Sequence, residues 1–136
     1  MTERILIISD DQTSEGLRRG LEGMGFDVTL TQNADDGYRQ LVEARFHLVV
    51  VNLDKAISGA GLIKRIRAND SLSELQVLTV AAWGTGQATI ALAQGADAFE
   101  PTPVEAGRLV EAIERLLQPI MVMTARASTT NGDLEE

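Results

Sequence analysis

The sequence predicts an α/β fold, a doubly wound five-stranded parallel sheet in the order 2-1-3-4-5 with helices on both faces, and two observations carry that expectation. Ile5-Leu6-Ile7-Ile8 and Leu48-Val49-Val50-Val51 are unbroken apolar runs rich in β-branched residues, which suits parallel strands buried on both sides. Between such runs lie stretches with apolar residues at helical spacing. Regular βα alternation leaves few topologies once crossovers are right-handed.

The elements follow in order. Ile5 to Ile8 forms a first strand running into Ser9-Asp10-Asp11. Ser14 to Met24 places Leu17, Leu21 and Met24 on one helical stripe, and Gly25, tolerant of positive φ, ends that helix. Phe26 to Thr31 alternates with period two, as in a strand with one wetter face at a sheet edge. Asn33 caps a second helix carrying Tyr38, Leu41 and Val42, with Asp35 and Asp36 in its first turn, where the helix dipole favours anions.

The Leu48 run closes on Asn52-Leu53-Asp54. After a glycine-containing loop from Ser58 to Gly61, a third helix turns Leu62, Ile63 and Ile66 to one side. Val77 to Ala82 is a fourth strand, followed by a Trp83-Gly84-Thr85-Gly86 loop and a small-residue helix from Gln87 to Gln94. Gly95 to Phe99 reads as a turn into a short fifth strand, and Val104 to Leu117 as a last helix with Leu109, Val110, Ile113 and Leu116 on one stripe.

Composition bounds the rest. The 136 residues fit one domain, expected over 1–119, with 120–136 expected to be a tail largely without order. Within that tail, Ile120-Met121-Val122-Met123 either continues the last helix or docks on a neighbour. Twenty acidic residues outnumber twelve Lys and Arg, giving a net charge of −8, so no nucleic acid is expected as a direct partner. The absence of cysteine excludes disulfides and thiolate metal sites. Met1-Thr2-Glu3-Arg4 lacks the layout of a signal peptide, and no apolar run approaches the roughly 18 residues of a membrane span. No membrane partner and a cytoplasmic location are therefore expected.

In doubly wound sheets, ligands gather at the carboxyl ends of the strands where strand order reverses, here between strands one and three. Asp10 and Asp11 follow strand one, and Asn52 and Asp54 end strand three. Four stretches in this order complete a pattern: Arg4 to Ile8 running into acidic residues, Leu48 to Val51 before a polar residue, Gly59-Ala60-Gly61-Leu62-Ile63-Lys64-Arg65-Ile66-Arg67, and Gly95-Ala96-Asp97-Ala98-Phe99 leading to Pro103. Over about residues 3–118 the layout resembles the receiver domains of two-component response regulators, of flavodoxin-like architecture.

The resemblance implies a site in which two acidic residues after strand one hold Mg²⁺ and an Asp ending strand three accepts a phosphoryl group. A Thr or Ser after strand four and a Lys before the Pro after strand five complete it. That chemistry needs carboxylate oxygens for a hard cation, an anionic nucleophile and a positive charge to offset the phosphoryl group. The matching positions here hold Ser9 and Asp10, Asn52, Ala81 and Thr102. An amide has no anionic oxygen, Ala81 no hydroxyl and Thr102 no charge. The expectation is a stand-alone pseudo-receiver that is not an enzyme and needs no cofactor. It acts in bacterial signal transduction or a phosphorelay by binding another signalling protein, or as a homodimer, through the helix 4, strand 5 and helix 5 face.

Other readings stand beside it. Asp54 shares a strand face with Asn52 by parity and is the acceptor in an alternative, Mg²⁺-dependent reading, although Asn52, five residues after His47 and seven before Gly59, fits the family spacing better. The vacated pocket could instead take a small ligand. Asp10 and Asp11 either keep a weak Mg²⁺ site or serve as an N-cap or Asx turn, and Asn52 could simply hydrogen-bond its neighbours. Trp83 and Phe99 are candidate partner-binding aromatics, with Trp83 alternatively packing over the emptied site. His47, the only histidine, is expected to have no catalytic or metal role.

Overall fold

The structure is a computed structural model that describes residues 3–9, 13–52, 59–82, 86–102 and 107–117. Five strands, β1 (Arg4–Ile8), β2 (Asp27–Thr31), β3 (Leu48–Asn52), β4 (Gln76–Ala82) and β5 (Ala98–Thr102), alternate with helices. These are α1 (Thr13–Gly23), α2 (Ala34–Glu43), α3 (Gly59–Ala68), α4 (Gln87–Gln94) and α5, described over 107–117. Every strand pair is parallel and the order is β2-β1-β3-β4-β5, as the sequence predicts.

The apolar runs dictate this arrangement. Successive strand residues point to opposite faces, so the fully buried β3 feeds two cores at once. Leu48 and Val50 join Ile5, Ile7, Leu78 and Val80 beneath α1 and α5, against Leu21, Ile113 and Leu117. Val49 and Val51 join Leu6, Ile8 and Val77 beneath α2, α3 and α4, against Leu41, Ile63 and Ala91. Each such side chain contributes up to about 1.5–3 kcal/mol on burial.

Local signals hold where backbone chemistry is explicit. The Asn33 side chain accepts a hydrogen bond from the Asp36 N–H at 2.8 Å, capping α2, and Gly25 takes the left-handed φ of 99°. Several details differ from expectation. α3 starts at Gly59, inside the anticipated loop. Met24 falls in the turn beyond α1 and is half exposed, and Val42, one residue past buried Leu41, turns to the outer side of α2. β2 begins at Asp27, with Phe26 buried just before it. β5 runs on to Thr102 through Pro101, whose missing N–H is tolerated because β5 is an edge strand.

His47 is held by hydrogen bonds to the backbone of two neighbouring strands. Its Nδ1 accepts the Arg4 N–H at 2.9 Å, its own N–H donates to the Arg4 carbonyl at 2.8 Å, and its carbonyl accepts from the Gln76 N–H at 3.1 Å. One residue thus joins the amino ends of β1, β3 and β4.

A second knot sits at the same end of the sheet. Arg67, on the last turn of α3, donates to the carbonyls of Gly95 (2.8 Å) and Leu75 (3.0 Å) and to Asp97 Oδ2 (2.7 Å), and that same oxygen accepts the Val77 N–H at 2.8 Å. Gly95 has φ 118°, and a Cβ there would lie 2.6 Å from Arg67 Cγ. Substituting Arg67→Met keeps the aliphatic stem but removes all three donors, and should lower unfolding free energy by about 2–3 kcal/mol in urea titrations. Gly95→Ala should also destabilise, through both the strained φ and the clash.

Candidate functional site

The carboxyl ends of the strands bring the predicted positions to one end of the sheet. β1 and β3 are neighbours, with Ile8 beside Val51. The residues that follow this pair, Ser9 and Asn52, share the face of Ile7 and Val50 by strand parity. Both are polar and buried, with 3% and 8% of their surface exposed. The Asn52 amide Nδ2 donates to Ser9 Oγ at 3.2 Å, a buried bond between residues 43 apart in sequence. Where two strands end side by side, an amide and a hydroxyl join across the seam.

The neighbouring positions behave differently from one another. Asn52 pairs with Val80 in the β3–β4 ladder, and Ala81, one residue on, is fully buried in the core beneath α2, α3 and α4. Thr102 is the last residue of β5, its backbone paired with Ala82. Phe99 is half buried and packs against the α4-side core. Asp10, Asp11, Asp54 and Trp83 lie outside the described residues, as do Val104, Glu105 and Ala106 at the start of the expected last helix.

The resemblance implies Mg²⁺ at this end of the sheet. The described part of the site offers an amide and a hydroxyl, and the amide directs an N–H at its neighbour, whereas a hard divalent cation wants several carboxylate or carbonyl oxygens. Among the described residues no cluster of three or more His, Cys, Asp or Glu could hold a metal ion. The described residues alone do not make a cation site; the candidate ligands Asp10 and Asp11 lie outside them.

One charged feature escaped the sequence reading. Glu100, in β5, is buried with 7% exposure and faces α5, where Arg108 Nε donates to its Oε1 at 3.0 Å and Arg115 Nη2 lies 3.7 Å from its Oε2. The hydrogen bond to Glu100 raises the Arg108 pKa further above its already high ordinary value. The signal was present: a lone acid in an otherwise uncharged strand, followed by two arginines seven residues apart and so on one helical face.

α4 is the other unusual surface. Its eight residues include no charge, and Ile90 and Leu92 are 47% and 49% exposed.

Comparison with known proteins agrees with this architecture. The response regulator receiver domain matches residues 5–114. A chemotaxis protein, CheY-3 of Vibrio cholerae, is 31% identical over 121 residues, covering 85% of this chain and 92% of its own length. The probable transcriptional regulatory protein SilR of Salmonella typhimurium is 28% identical over 134 residues, and this chain spans 58% of it. Among solved structures, a putative response regulator from Chloroflexus aurantiacus superimposes with a TM-score of 0.80 at 24% identity, covering 87% of this chain and 99% of that one. The chain belongs to the response regulator receiver domain family. It is thus a module of two-component signal transduction, of a kind that generally is not an enzyme and interacts with other signalling proteins. Among the described residues no helix is long and apolar enough to cross a membrane.

Removing the bridging amide tests the seam. Asn52→Ala should cost about 1 kcal/mol of unfolding free energy, the typical net worth of one buried hydrogen bond. An unchanged urea midpoint would show that the bond to Ser9 contributes nothing.

Proposed function

We propose that this chain is a pseudo-receiver, a signalling domain that works by protein–protein interaction and not by Asp phosphorylation. The observation that carries the reading is the buried Asn52–Ser9 hydrogen bond at the carboxyl ends of β3 and β1. At the position where the resemblance expects the phosphoacceptor, an amide satisfies itself on a neutral neighbour. An amide nitrogen lone pair is delocalised and its oxygen carries no full charge, so neither can attack phosphorus to form an acyl phosphate. Ala81 in the α4-side core and the uncharged Thr102 agree with that loss.

The competing reading keeps the chemistry and moves it to Asp54, whose carboxylate oxygen would bond to phosphorus as the donor's leaving oxygen departs with its electron pair. Incubation with Mg²⁺ and acetyl phosphate, followed by intact mass, separates the two. No phosphate adduct is expected. An adduct that Asp54→Ala abolishes would establish the competing reading, with Asp10 and Asp11 as its metal ligands. Stabilisation by a metabolite in a thermal-shift screen would instead point to a small-ligand domain.

Reintroducing the acid is a second test. Asn52→Asp places a carboxylate where the described surroundings are neutral and only 8% of the residue is exposed. Stability in Mg²⁺-free buffer should fall by roughly 1–3 kcal/mol. Burial disfavours the ionised form, so the variant loses stability as pH rises through the carboxylate range and recovers it on acidification. A stability difference independent of pH would contradict the argument.

The partner surface is proposed to be the α4, β5 and α5 face, with Phe99 and Trp83 as aromatic anchors and the uncharged α4 supplying exposed Leu92. Leu92→Glu should leave thermal stability within about 0.5 kcal/mol of the parent, because the side chain is half exposed. It should weaken self-association, measured by sedimentation, or binding of the signalling partner, by about tenfold or more. Unchanged affinity would move the interface elsewhere.

A further inference from the structure

α1 carries glycine at positions 16, 20 and 23 of its eleven residues. Glycine loses the most backbone freedom on folding, so each one in a helix shifts the balance toward the open chain by roughly two- to fivefold relative to alanine. A helical glycine commonly answers a need for close approach or for positive φ. Neither need exists here. A Cβ built at Gly16, Gly20 or Gly23 meets no atom of another element within 4 Å, and none of the three has positive φ. Gly37 in α2 is the contrast, since a Cβ there would collide with the Ile8 side chain.

Polar contacts do not tie α1 down either. Among residues 15–23 only Leu17 and Leu21 are buried. Arg18 pairs with Glu15 and, at 3.2 Å, with Glu22, and both partners lie in the same helix. Three of the other helices are clamped from outside. Asp35 of α2 meets Arg65 of α3 at 3.2 Å, Arg67 of α3 reaches Leu75, Gly95 and Asp97, and Arg108 and Arg115 of α5 approach Glu100. α4 has no such clamp, but it holds three alanines and no glycine.

We propose that α1 opens as a unit while the sheet stays closed, giving the domain a second conformation. Opening would uncover Ile5, Ile7 and Val28, which share a core cluster with Leu17 and Leu21. The balance is set by the composition of α1 and by its two buried leucines, so it requires nothing at Asn52. It is therefore independent of whether the chain is phosphorylated.

Hydrogen exchange in the full chain tests this. Measured against unstructured rates, the amides of residues 17–23 should exchange about tenfold faster or more than those of Leu48–Asn52. Low concentrations of urea should accelerate exchange in β3 steeply and in α1 far less, the mark of local opening. Replacing the three glycines together, as Gly16→Ala, Gly20→Ala and Gly23→Ala, should slow exchange in α1 by about 10- to 100-fold. Equal protection and equal urea dependence in α1 and β3 would overturn the proposal, because α1 would then open only when the whole domain unfolds. An α1 exchange rate unchanged by the three alanines would overturn it as well, since the glycines would not then set the opening.

Discussion

Because all five residues of β3 are buried, each face of the central sheet must be roofed by helices and no polar side chain can sit mid-strand without a partner. The strand therefore concentrates its chemistry at its ends. At the carboxyl end Asn52 must be satisfied from within the protein, and the strand order provides the means by setting β1, with Ser9 at its tip, directly alongside. At the amino end His47 meets the same demand, taking backbone groups from the strands on both sides. The polar contacts of the central strand thus gather at its two ends.

The sequence showed the sheet plainly and the site less so, for physical reasons. Unbroken runs such as Leu48 to Val51 suit strands buried on both faces, and parity then assigns their residues to two cores, so fold and strand order were legible. Helix edges were not. Val42 belongs to the apolar pattern by type, yet one residue past Leu41 rotates it about 100° to the outside, where it is exposed.

The Asn52–Ser9 bond was beyond sequence reasoning, since it joins residues 43 apart whose proximity depends on strand register. What the sequence did supply was the right pair of strand ends. The Glu100 pair was within reach, because an acid in a strand of otherwise uncharged residues demands a cation, and Arg108 and Arg115 lie on one helical face at a distance of two turns.

That pair bears on how an amide-bearing receiver could still present a defined surface. A buried carboxylate with an arginine at each of its oxygens is costly to leave half satisfied, so α5 is fixed to β5 by a demand that no ligand at the other strand ends has to meet. The Arg108 and Arg115 side chains remain 68% and 63% exposed while they approach the buried Glu100, so solvent screens the contact from its outer side. On the reading proposed above, the face formed by α4, β5 and α5 is held by this static interaction and by the packing of Phe99 against the α4-side core. Its shape would then be set when the chain folds, and the presence of a suitable partner, rather than the state of Asn52, would decide when it is used.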